Sequence, residues 1–149
     1  MSTSIEIKHF LPHREPMLMV DLITHIDSES VETTFVVPED CIFVEDKCFS
    51  ESGLIENAAQ TCSAIVAQDY FSDGKQPVNL VGFIGAIKKL TIQKLPFVHQ
   101  KLISKAMLIS KMDTDDFVLC LIQCSVFLEG KIIMETEMNL FIKEQKNES

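Results

Sequence analysis

No run of apolar residues in this chain reaches the roughly 20 that a membrane-spanning helix needs. The N-terminus, MSTSIEIKHF, lacks the basic stretch followed by an apolar run that marks a secretory leader. Both absences predict a cytoplasmic protein with no membrane span. Positive charge is also scarce: 13 Lys and Arg stand against 22 Asp and Glu, for a formal net charge of -9. That balance argues against nucleic acid as a partner, which would call for a basic footprint. The five cysteines, Cys41, Cys48, Cys62, Cys120 and Cys124, are odd in number and contain no Cys-x-x-Cys pair. They read as reduced thiols in apolar surroundings. Cys and His are nowhere clustered at zinc-ligand spacing, and neither metal nor cofactor is expected. Repeats, low-complexity tracts and linkers are missing too. The 149 residues, 46% of them apolar, therefore suit one domain with its own core, residues 1–16 forming an N-terminal lead and 144–149 a frayed tail.

Within that domain, PMLMVDLITHID and SVETTFVVPED read as strands, rich in β-branched residues and closed by Pro38 and Asp40. A loop from Cys41 to Ser52 follows. Leu54 to Phe71 contains neither Gly nor Pro and is rich in Ala, which predicts a helix ending before the turn Ser72-Asp73-Gly74. Beyond it, VNLVGFIGAIKKLTIQ, KLISKAMLISKMD and DDFVLCLIQCSVFLEGKIIMETEMNLFIKE read as strands, with a hairpin at Glu129-Gly130-Lys131. The expected architecture is α+β, one helix against one antiparallel sheet. Between Asn57 and Gln68 the helix has no charged side chain, so it must be buried on most sides. Its small residues Ala58, Ala59, Ser63, Ala64 and Ala67 would let a curled sheet come close.

Charge is also unevenly placed. Seven lysines, Lys75, Lys88, Lys89, Lys94, Lys101, Lys105 and Lys111, lie between Asp73 and Asp113 with no Asp or Glu among them, and the rest of the chain keeps 6 basic against 22 acidic residues. The cluster could form a docking patch for an acidic partner. Scattered over alternate strand positions, it would instead be a solvated face or an edge guard.

Glu56 is the one carboxylate in the first half of the apolar helix, Asp69 standing near its far end, and a carboxylate so placed suits a general acid or base. A capping-box Glu at the third helical position is the structural alternative. Backbone N-H groups near Gly53 and Leu54 could hold a carbonyl oxygen at the helix start, with Gly53 allowing close approach. His13 lies in Leu11-Pro12-His13-Arg14-Glu15-Pro16, where two prolines stiffen the chain. It could exchange protons near neutral pH, or simply hydrogen-bond to backbone.

LPHREPMLMVD, GLIENAAQ, GFIGAIKKLTIQKLPFVHQ and EGKIIMETEM, in that order, resemble the β-hydroxyacyl-acyl-carrier-protein dehydratase family, the FabZ-like hot-dog proteins. The resemblance covers nearly the whole chain and implies a long helix wrapped by a curved antiparallel sheet. It further implies loss of water from a β-hydroxyacyl thioester on an acyl carrier protein, giving the trans-2-enoyl thioester, in fatty-acid or polyene-type lipid synthesis. In such proteins a histidine and a carboxylate from opposite subunits of a dimer line an acyl tunnel. Glu56 falls on the family's carboxylate and Gln60 on the glutamine one turn later, which would orient it. Phe83 and Gly85 would sit beside the acyl chain with Gly53, Leu54 and Gln60. Lys88, Lys89 and Lys94 would meet the acidic carrier protein.

One feature departs from the pattern. The family's catalytic histidine belongs to a His-Phe-Pro-Gly loop before the helix, and Phe43 to Gly53 holds no histidine here. Shorter relatives linked to aryl-polyene and flexirubin-type pigments are similar in lacking that loop, and some work beside a second hot-dog subunit. His13 is the candidate substitute. The chain is thus expected to pair as a homodimer or heterodimer. A non-catalytic acyl-binding subunit and a hot-dog thioesterase are the competing functions.

Overall fold

The structure, a computed structural model, describes residues 5–6, 16–71 and 80–144. In chain order its elements are β1 (Ile5–Glu6), β2 (Leu22–Ile26), β3 (Ser30–Val36), β4 (Val44–Glu45), β5 (Cys48–Phe49), α1 (Glu51–Phe71), β6 (Leu80–Ile92), β7 (Lys101–Asp113), β8 (Val118–Leu128) and β9 (Lys131–Glu144). Period-two patterning is clearest in β8. Along β8, buried Val118, Cys120, Ile122, Cys124, Val126 and Leu128 alternate without a break with half-buried residues. The turn into β9 is Glu129-Gly130, both at positive φ as a type I′ hairpin needs, and Gly130 adopts that conformation freely.

The strands form one seven-stranded antiparallel sheet in the order β1-β2-β3-β7-β8-β9-β6, with β4 and β5 as a separate small hairpin. The helix packs against β3, β6, β7, β8 and β9. Five adjacent strands span about 19 Å at ordinary spacing, whereas a helix with its side chains is about 10–12 Å across. The sheet must therefore curl round α1. The helix is buried accordingly: Leu54, Asn57, Ala58, Gln60, Thr61, Cys62 and Ala64 have no exposed surface. This is the α+β hot-dog arrangement.

Several boundaries differ from expectation. The lead contributes β1, where Ile5 pairs with Ile23. Residues 18–21 lie outside any strand, because Met19 bonds to helix side chains instead of a neighbouring strand. The loop after Cys41 holds the β4–β5 hairpin, and the helix starts at Glu51, three residues before Leu54. Glu144 closes β9, paired with Leu80, so the strand runs into the expected tail. The turn expected at Ser72-Asp73-Gly74 lies outside the described residues. Among the described residues, no helix is long and apolar enough to cross a membrane.

Candidate active site

The start of α1 is set by Ser50. Its Oγ accepts from Gly53 N (3.3 Å) and its carbonyl from Leu54 N (3.0 Å), the usual N-cap pattern. Two expectations change as a result. Glu56 lies beyond the first turn and is no capping residue. The Gly53 and Leu54 amides are already occupied within the chain, so they are not free to receive a thioester oxygen.

Gly53 has a packing reason of its own. A Cβ at this position would stand 2.4 Å from Phe49 Cε1. Phe49 is fully buried and packs on Phe35 with ring centroids 5.6 Å apart. Gly53→Ala is therefore expected to destabilise the fold. Overpacking costs about 1–3 kcal/mol, against a helix-propensity gain of about 1 kcal/mol. Urea denaturation checks this, and undiminished stability would mean that the Phe49 ring can step aside.

One turn further along, the half-buried Glu56 accepts through Oε1 from Gln60 Nε2 at 2.9 Å. The i, i+4 spacing of a helix brings the two side chains together. Gln60 itself is fully buried and fully bonded: Nε2 also donates to Met17 O (2.7 Å), and Oε1 accepts from Met19 N (2.7 Å). The carboxylate is thus tied through one side chain to the end of the motif that contains His13. His13 lies outside the described residues. A hollow of about 530 Å³ flanks the same segment, lined by Met19, Val20 and Phe35 and bordered by exposed Asp21 and Asp40. Glu56 does not line it.

The other candidates lie on β6. Phe83 pairs with Phe141, and Gly85 is the bulge residue between Ile84 and Ala86, which pair with Leu140 and Asn139. Gly85 leaves room for a ring of its own chain, since a Cβ there would meet Phe141 Cε2 at 2.2 Å. Lys88 and Lys89 follow at a second irregularity, Lys89 at positive φ and 3.6 Å from Glu137, and Lys94 lies just past the strand. All three lysines are exposed. Of the seven lysines, open to two readings from the sequence, the described ones do not form one surface. Lys101, Lys105 and Lys111 are on β7, separated from β6 by β8 and β9, about 14 Å at ordinary strand spacing. Lys105 pairs with Glu32 and stands over Phe127. Lys75 lies outside the described residues.

Cys62, Cys120 and Cys124 are buried together between helix and sheet. The hydrogen-bonded Cys124 thiol, reinforced by burial, pushes the Cys62 thiol well above its ordinary range, so it stays neutral. Among the described residues, no group of three His, Cys, Asp or Glu is placed to hold a metal. Asn57 is a further residue of the site, bonded to Met19 and Ser104. The sequence holds a signal for it, a polar side chain in the apolar stretch beside Glu56, but its partners are remote in the chain.

No curated protein sequence matches the chain significantly. Among solved structures, it is similar to the dehydratase heterocomplex ApeI:P from Xenorhabdus doucetiae, with a TM-score of 0.81 and 14% identity over 96% of this chain and 93% of that one. It is also similar to the uncharacterized protein PH1136 from Pyrococcus horikoshii, with a TM-score of 0.64 and 16% identity over 86% and 85%. A hypothetical thioesterase with coenzyme A from Streptococcus pneumoniae TIGR4 has a TM-score of 0.59 and 12% identity over 84% and 87%. At these identities the likenesses speak to the fold alone. The model of the ApeP-like family, described as ApeP dehydratase, matches residues 5–149. With nearly the whole chain matched, this protein belongs to the ApeP-like dehydratase family.

Proposed function

We propose that this chain takes part in dehydrating a β-hydroxyacyl thioester, carried on an acyl carrier protein, to the trans-2-enoyl thioester. The observation that carries the reading is the half-buried Glu56 carboxylate held at 2.9 Å by a fully buried, fully bonded Gln60. The reaction breaks the α C-H and β C-O bonds, forms a C=C bond and releases water. It needs one group to take the α-proton and one to protonate the leaving hydroxyl. Glu56 serves as one of the pair and His13 as the other. Gln60 fixes the carboxylate's direction. Lys88, Lys89 and Lys94 form the surface for the acidic carrier protein.

A second hot-dog subunit completes the site. Among the described residues, β6 ends the sheet, and on its helix-side face Ile84 and Ile87 are 38% and 37% exposed while their cross-strand neighbours Leu140 and Met138 are buried. An open strand edge with uncovered apolar side chains is a place for another chain to pair. The ApeI:P structure is itself a heterocomplex, which favours an unlike partner. Ile87→Glu is expected to weaken pairing by about 2 kcal/mol or more, roughly 30-fold, while each chain stays folded. Light scattering after size-exclusion chromatography checks this. An assembly as tight as the parent's would place the interface elsewhere.

The direct test is incubation of the chain, alone and with its partner subunit, with a β-hydroxyacyl carrier-protein thioester, read by mass spectrometry. Loss of one water with the thioester intact is the expected result. A free acid would favour thioester hydrolysis. No product alone, but product with the partner in a Glu56→Gln background, would make the chain a non-catalytic acyl-binding subunit.

A further inference from the structure

From Gly53 to Val66 the helix carrying Glu56 is buried or half-buried, yet Asn57, Gln60 and Thr61 are polar and have no exposed surface. Buried carboxamides persist where their donors and acceptors are met, and here the partners can be traced atom by atom. Asn57 Nδ2 donates to Met19 O at 2.7 Å, and Asn57 Oδ1 accepts from Ser104 Oγ at 2.6 Å. Ser104 is 1% exposed, on the inner face of β7. Thr61 Oγ1 donates to Asn57 O (2.9 Å) and lies 2.7 Å from Thr33 Oγ1 of β3. These bonds tie the helix to two strands around Asn57.

The orientation of the Asn57 amide follows from the network. If it were flipped, Oδ1 would face the Met19 carbonyl, acceptor against acceptor. With Nδ2 toward Met19, the remaining oxygen needs a donor, which the Ser104 hydroxyl supplies. Met19 is then held at both backbone groups, its N-H by Gln60 and its C=O by Asn57. In an antiparallel ladder one residue of a partner strand makes both bonds. Here two helix side chains take the place of that strand, and the segment from Met17 to Met19 lies along α1.

We infer that Asn57 is a positioning residue for Glu56: oriented by Ser104, it fixes Met19, and so places the Met17 carbonyl that shares Gln60 Nε2 with the Glu56 carboxylate. The inference rests on the reading of Glu56 as a proton-transferring group. Ser104→Ala removes the hydroxyl that sets the Asn57 amide, without touching Glu56, Gln60 or the N-terminal segment. Hydrogen exchange at the Met19 amide and steady-state kinetics of the full chain with its partner subunit are the two measurements.

Ser104→Ala is expected to speed Met19 exchange and to lower kcat roughly 10- to 100-fold at unchanged KM, the scale of a misplaced reacting group. Ser104→Thr, which keeps the hydroxyl and suits a strand, should restore both. Ser104→Cys, with a weaker donor, should fall between and serves as the probe if the alanine variant does not fold. Unchanged exchange overturns the inference, as does faster exchange with kcat intact or a proportional rise in KM. A parent complex with no dehydration sinks the functional reading and the role given to Asn57 together. A turning-over parent with unresponsive Ser104 variants sinks the inference alone.

Discussion

Glu56→Gln is expected to cut dehydration of a β-hydroxyacyl thioester by about 10²- to 10⁴-fold, with the denaturation midpoint close to the parent's. The replacement keeps the length and planarity of the side chain. Its amide oxygen can still accept from Gln60 Nε2, where the carboxylate accepts at 2.9 Å now. What disappears is the ability to take or give a proton. Glu56→Ala is a poorer test, because it also deprives the buried Gln60 of one of its partners. Turnover assays on the complex, paired with thermal denaturation of each variant, separate chemistry from folding. A glutamine variant that turns over as the parent does would remove Glu56 from the reaction and leave the Glu56–Gln60 pair with a purely structural role.

How much of this could be read before the structure depends on the distance over which each feature is decided. Lys101 to Asp113 could be read residue for residue as β7, because strand composition is a local signal. The meeting of Glu56 with Gln60 follows from helical geometry once a helix is granted. The helix begins before the Gly-free run does, because the capping residue, Ser50, stands before Gly53, and a glycine by itself reads as a helix breaker. Only the Phe49 ring resting on it shows why that glycine lies inside the first turn. Met19 looks like a strand residue by composition, yet its backbone bonds to carboxamides 38 and 41 residues away, which no local pattern signals. Which of the two readings of the lysine cluster holds is hidden from the sequence for a similar reason. Sequence neighbours on β6 and β7 are separated by the later strands β8 and β9, which insert between them in the sheet.

Phe49→Ala should be the most damaging single truncation near the site. Phe49 has no exposed surface, its ring packs against Phe35 at a 43° tilt, and its face fills the space left by Gly53. Removing the ring strips contacts from β3 and from the first helical turn at once, and two rigid elements cannot easily close on the gap. Such truncations cost about 3–5 kcal/mol, a large share of the 5–15 kcal/mol that typically holds a domain folded. For a chain of this size that is a fall of roughly 6–20 °C in melting temperature. The backbone at Phe49 stays anchored, since its N-H donates to Pro96 O at 2.8 Å, so the loss belongs to the side chain. Below the lowered melting point the variant should keep far more turnover than Glu56→Gln, because the Ser50 cap and the Gln60 bonds that orient Glu56 do not involve the ring. Calorimetry on Phe49→Ala beside Gly53→Ala checks the account. A loss under about 1 kcal/mol would mean that Phe35 and the helix start collapse onto the vacated space, and that Gly53 is not held open by the ring.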